Sequence, residues 1–224
     1  INYQLNSILT CSHISGQDNS EVKKLTYILI AFFLTSCFLE RNNELSSDNL
    51  INETFNKSEI KDLQHILDFF NNEICNSNIE NLNDCYANYC LKIKTQIEKT
   101  VAFNTNLNFE KQRKLYNQIS NKTFKEIWRF QKSLPIHEEK DTLKYLGFNY
   151  EGKYRKFLNE YGKENNAVKK YGESYNVSAD LGPSMIAELS MNYESFKINE
   201  LKTKLLIAIH YLTINDQSWR KEKY

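Results

Sequence analysis

Glycine and proline are scarce in this chain, 6 and 2 among 224 residues. A sandwich or barrel reverses direction about every 10 residues and draws most of its turns from these two residue types, so an all-β fold lacks its turn chemistry here. The scarcity predicts helices. Hydrophobic residues at 41% and charged residues at 25% supply one core under a charged surface and argue against wholesale disorder. Lys+Arg at 29 against Asp+Glu at 28 leaves a net charge of +1, so no global field draws the chain to nucleic acid.

The 3.6-residue period recurs along the chain. Ile60, Leu63, Ile66, Leu67, Phe70 and Ile74 form one apolar stripe, and Leu82, Cys85, Tyr86, Tyr89, Ile93 and Ile97 a second. The spacing predicts further helices over 109–119, over 124–134 with Pro135 ending it, and over 150–161. Pro183 suits the first turn of another, and the run from Leu201 to Leu212 is apolar nearly all round, as a central helix would be. No strand alternation of convincing length appears. The expected fold class is all-α, an irregular multi-helix bundle.

Upstream of these helices, Lys23 and Lys24 precede residues 25–34, uncharged and apolar except Thr26, and then Leu34-Thr35-Ser36-Cys37. A basic flank, a short apolar core and small residues make the layout of an export signal. Even the uncharged run 25–39 would span only about 22 Å as a helix, short of a hydrocarbon core of about 30 Å.

Leu34-Thr35-Ser36-Cys37 resembles the lipobox of bacterial lipoproteins, in which a small residue precedes an invariant cysteine. The resemblance covers residues 22–37. It implies a signal peptide, 22–36, that is cut away, a Cys37 thiol that carries diacylglycerol, and an acylated new amino terminus. Tyr150-Glu151-Gly152-Lys153-Tyr154 and the run Ile207 to Thr213 also look like lipoproteins of Bacteroidota, a resemblance that brings no activity with it. The implied location is the cell envelope, lipid-anchored at the outer membrane. Phe38-Leu39-Glu40-Arg41 lacks the acidic run associated with surface export in such bacteria, which leaves periplasm-facing and surface anchors open.

Residues 1–21 stand before the signal. The first methionine is Met185, and Val22, directly ahead of Lys23, fits a GTG start, so 1–21 reads as upstream read-through or a disordered extension. Residues 37–57 are polar and aperiodic and are expected to form a flexible tether behind the lipidated cysteine. Ser58-Glu59 opens a helix, which makes 58–224 the helical domain.

Candidate functional residues are few. Cys75 ends one predicted helix and Cys85 opens the next, so a hairpin could bring them to bridging distance and leave Cys90 free; three separate core thiols are the alternative. His65 lies three residues from both Asp62 and Asp68, a pattern that a solvated helix face explains without metal. His210 sits within the apolar run 205–212, where a core histidine is expected; it is also the one candidate for catalysis. Tyr150, Tyr154, Tyr161, Tyr171 and Tyr175 interleave with Lys153, Arg155 and further lysines, a pattern that offers rings and cations to a ligand or covers half-buried tyrosines with a solvated basic face. No phosphate loop, dinucleotide fingerprint, metal-ligand spacing or nucleophile elbow occurs, so neither cofactor nor metal is implied.

These features together predict a lipid-anchored envelope protein that binds an envelope polymer or a partner protein, attached to membrane only through its lipid. An envelope hydrolase with a site near His210 is the alternative, and a periplasmic neutraliser of a toxin or lytic enzyme a further one.

Overall fold

The structure, a computed structural model, describes residues 44–75, 81–100, 102–133 and 142–224. Cys37, the signal segment, residues 1–21 and Pro135 lie outside the described residues.

Helix starts follow local capping chemistry. The Asp48 side chain accepts from Ile51 N to open α1 (Asn49–Thr54), and Asn56 with Glu59 closes a capping box that opens α2 (Lys57–Ile74). Ile60, Leu63, Ile66, Leu67 and Phe70 bury one face of α2, as their spacing predicts. A disulfide joins Cys75 to Cys85, with Cα atoms 5.5 Å apart, and ties α2 to α3 (Leu82–Thr100). Cys90 is the free, buried cysteine on α3, its thiol pushed up to about 12 by burial. Asn108 and Ser120 cap α4 (Phe109–Gln118) and α5 (Asn121–Ile127). Asp62 of α2 holds the second cap from outside, accepting from Ser120 N, Ser120 Oγ and Thr123 Oγ1 at 2.6 to 3.1 Å.

Helix α5 does not continue to residue 134. At Trp128 the chain turns extended, and β1 (Trp128–Lys132) pairs antiparallel with β2 (Lys144–Phe148) in the register Trp128–Phe148 to Lys132–Lys144. Trp128, Phe130 and Lys132 share one face of this hairpin and Arg129 and Gln131 the other. That alternation is too short to stand out in sequence, and the helical period read there is corrected by it. Three further helices follow, α6 (Lys153–Tyr161), α7 (Asn166–Ser178) and α8 (Pro183–Met191), with Pro183 in the first turn of α8. Gly152, the N-cap of α6, allows a close approach, since a Cβ there would run into the Glu126 carbonyl.

The last helix, α9 (Leu201–Trp219), is buried on every side from Thr203 to Asp216 and packs against α2, α4 and β2. A helix enclosed by others needs no polar face, hence its uniform apolarity. Its few polar side chains are satisfied from the surrounding elements. Gln112 Nε2 donates to Leu212 O at 2.7 Å, Asn215 Nδ2 to Gln112 Oε1 at 2.7 Å, and Trp128 Nε1 to Thr213 Oγ1 at 2.8 Å.

Among the described residues the protein is thus an irregular, predominantly all-α assembly of nine α-helices and one two-stranded hairpin. Of the tether expected over 37–57, the described part, 44–57, is folded. Leu45, Ile51 and Phe55 are buried, Leu45 N donates to Gln64 Oε1 at 2.8 Å, and the Phe55 ring meets Phe157 of α6 at 6.2 Å. Three apolar residues among polar neighbours suffice to dock the segment because the bundle supplies the complementary surface.

Candidate functional site

Most of the tyrosine-rich stretch faces the core. Tyr154, Tyr161, Tyr171 and Tyr175 are all fully buried. Phe148 contacts both Tyr154 and Tyr175, at 5.2 and 5.4 Å between ring centres. Tyr161 Oη donates to Glu200 at 2.8 Å, and only Tyr150 stays half-buried, under the Arg155 guanidinium at 3.8 Å. Lys153 is committed to the buried Glu59 at 2.5 Å, and Arg155 Nε to Asn176 at 2.8 Å. Burial works against the Glu59 charge, yet Lys153, the Asn56 N–H and Lys122 hold its carboxyl below the usual range. The rings of Tyr154, Tyr161, Tyr171 and Tyr175 are therefore spent inside the fold and the charges of Lys153 and Arg155 on neighbouring side chains, while Tyr150 keeps part of its ring exposed. At helical spacing a tyrosine can bury its ring and send only its hydroxyl to a polar partner.

His210 is equally internal. Its ring is fully buried, Nδ1 lies 2.9 Å from Tyr171 Oη, and Tyr211 stands edge-on at 4.9 Å. Burial pulls its pKa down to about 3, so it is neutral through the physiological range.

Open chemistry lies elsewhere, in a cleft of about 610 Å³ between α4, α5, the hairpin and the segment that follows α9. Its aromatic wall is Tyr116, Phe124, Trp128 and Phe130, with Tyr116–Phe124, Tyr116–Trp128, Phe124–Trp128 and Phe124–Phe130 ring centres 5.4 to 5.5 Å apart. Arg113, Lys125, Lys144 and Arg220 bring four cations to the same cleft, against the single carboxylate of Glu222, while Arg129 lines it from a strand position whose side chain belongs to the other face of the hairpin. Lys144 and Arg220 stack over the Phe130 ring at 4.3 and 4.6 Å. Glu222 binds Arg220 at 2.7 Å and approaches Arg113 and Lys144 at 3.6 Å. Burial pushes its carboxyl up, but these cations outweigh that and hold it below the ordinary range.

A second hollow of about 580 Å³ adjoins the first, sharing Arg113, Arg220 and Glu222 and adding Phe109 and the half-exposed Trp219. The shared cations stand on fixed supports. Gln112, next to Arg113, ties α4 to α9, and Arg220 is clamped by both Asp216 oxygens at 2.7 Å. Burial opposes the charge on Arg220, and Asp216 overcomes it, holding the guanidinium above its ordinary value.

None of these cleft residues stands out in the sequence. They come from α4, α5, both strands and the residues after α9, so no local motif unites them. The nearest signal is Lys125 followed by Trp128-Arg129-Phe130, aromatic and basic residues side by side. The chain matches no protein-family model, no curated protein and no solved structure.

Proposed function

We propose that this chain is a lipid-anchored helical interaction module of the bacterial cell envelope, and that its cleft takes an anionic partner. The observation that carries the cleft reading is the gathering of four cations and four aromatic rings around one carboxylate, in a chain whose net charge is only +1. A concave, partly apolar wall of one sign concentrates field and raises both the local concentration and the capture rate of an oppositely charged group. Rings beside the cations add apolar contact for whatever carries that group. The anchor reading rests on Lys23-Lys24, the apolar run and Cys37. No helix among the described residues is long and apolar enough to cross a membrane. A hydrolase centred on His210 finds no support, because that ring is fully buried and lines neither hollow.

Two experiments separate the parts of this proposal. Cys37→Ala should abolish incorporation of a fatty-acid analogue and release the protein from membranes, since stable attachment needs two or more acyl chains. A Cys37→Ala protein that still takes up label refutes the anchor. For the cleft, polyphosphate titrated at low salt should bind the purified protein. Arg113 and Lys125 are exposed, so the double variant Arg113→Ala/Lys125→Ala should keep its melting temperature while weakening binding about tenfold and flattening the salt dependence. Unchanged affinity in that variant refutes the cleft.

A further inference from the structure

We infer that the outer edge of β1 is a docking edge on which an extended, acidic segment of a partner protein adds as a strand, with its carboxylates among the cations of the cleft. This rests on the cleft reading and names the kind of partner.

The hydrogen bonds that bracket the hairpin establish which backbone groups are open. Asn149 N donates to Ile127 O at 2.9 Å and Ser133 N to Leu143 O at 2.8 Å. Bonded pairs alternate along an antiparallel ladder, so Arg129 and Gln131 turn their N–H and C=O toward β2, while Phe130 and Lys132 turn theirs away. Strand β2 shows the same parity on its own outer edge, where every outward residue is occupied. Lys144 N donates to Glu222 O, Leu146 O accepts from Gln217 Nε2 and Phe148 N donates to Asp180 Oδ1, each at 2.8 Å. On β1, by contrast, the N–H and C=O of Phe130 and Lys132 have no hydrogen-bond partner among the described residues.

This open edge belongs to the strand that walls the cleft, since Trp128, Arg129 and Phe130 all line it. Donors and acceptors alternating at strand spacing are complemented by another extended polypeptide, which offers both; a phosphate offers acceptors only. Four cations against one carboxylate make the segment acidic. A second copy of the same strand is disfavoured as occupant, because each Trp128-Arg129-Phe130-Gln131-Lys132 strand carries two cations and no carboxylate, so the pair gains no charge complementarity. One set of alternate side chains would lie on the face of Phe130 and Lys144, where carboxylates meet the cations of the cleft, and the other set on the face of Arg129 and Gln131.

The test uses the purified full chain and a short peptide of alternating glutamate and valine. Three comparisons accompany it: the same peptide N-methylated at alternate amides, its lysine–valine counterpart, and polyphosphate. The acidic peptide should bind, slow hydrogen exchange at the Phe130 and Lys132 amides, and lose about tenfold or more in affinity on methylation. Lys132→Pro removes an outward N–H that an edge strand tolerates losing, and should weaken the peptide more than Lys132→Ala does, while the two variants, which lose the same charge, bind polyphosphate alike. If peptide and polyphosphate both bind but methylation changes nothing and Lys132→Pro acts no differently from Lys132→Ala, strand addition is overturned and the anionic cleft stands. Binding by neither overturns both. Concentration-dependent protection of the two amides without peptide assigns the edge to a second copy and overturns the inference.

Discussion

Stability should fall steadily as pH drops from about 6.5 toward 4.5, by a total of about 2 to 3 kcal/mol, because of one buried ring. His210 is fully buried on α9, its neighbours are the neutral rings of Tyr171 and Tyr211, and its pKa lies at about 3. In the unfolded chain the same imidazole titrates near its ordinary value of about 6.5. Between those two values the unfolded state binds a proton that the folded state refuses. Stability therefore rises with pH across that window, is complete above it, and is lost as pH falls through it. Urea denaturation at a series of pH values measures the slope directly. His210→Gln should lower stability at neutral pH by about 1 to 3 kcal/mol, through lost packing and a strained bond to Tyr171, and should flatten the curve between pH 6.5 and 4.5. The carboxyls held low, Glu59, Asp62 and Glu222, also favour folding less as acid increases, but they do so nearer their own range. A variant that keeps the wild-type slope in that window would refute the assignment.

The other large effect belongs to Asp216, which is fully buried and binds Arg220 through two hydrogen bonds of 2.7 Å. Removing one member of a buried pair leaves the other charge out of water with less to offset it, which costs about 3 to 5 kcal/mol. Asp216→Ala should lose that much in urea denaturation. Arg220→Met in the same background should recover part of the loss, since it takes away the stranded charge. The pair also joins core to cleft. Arg220 is the cation that both hollows share with Arg113, and Asp216 holds it there. Folded Asp216→Ala protein, assayed well below its midpoint, should bind polyphosphate more weakly, because the guanidinium is then no longer fixed in place beside Arg113. A single variant as stable as the wild type would show that the pair contributes nothing to the fold.

Much of the architecture was legible because helices are written locally. The stripe from Ile60 to Phe70, the capping box of Asn56 with Glu59 and the first-turn Pro183 each depend on residues within a few positions of one another. The unbroken apolar run in α9 carried a further message: a helix without a polar face has to be enclosed. Short elements were not legible. Five residues of β1 cannot establish a period, and their extended state is decided by pairing with Lys144–Phe148. The docking of Leu45, Ile51 and Phe55 depends equally on a surface that only the assembled bundle presents.

The sequence by itself determined the helical class, the order of most helices and the central place of the last one, because each is a property of neighbours along the chain. It also carried the resemblance to a lipoprotein signal, which is local in the same way. Tertiary structure alone decided the fate of the tyrosines and cations. Tyr154 and Tyr161 turned inward, Lys153 went to Glu59, and Arg113, Lys125, Lys144 and Arg220 came together from four separate elements or segments. The physical reason is that a long amphipathic side chain fits a core or a surface equally well in isolation. Which it joins depends on charges and rings far away in the chain, and that distance is removed only by folding.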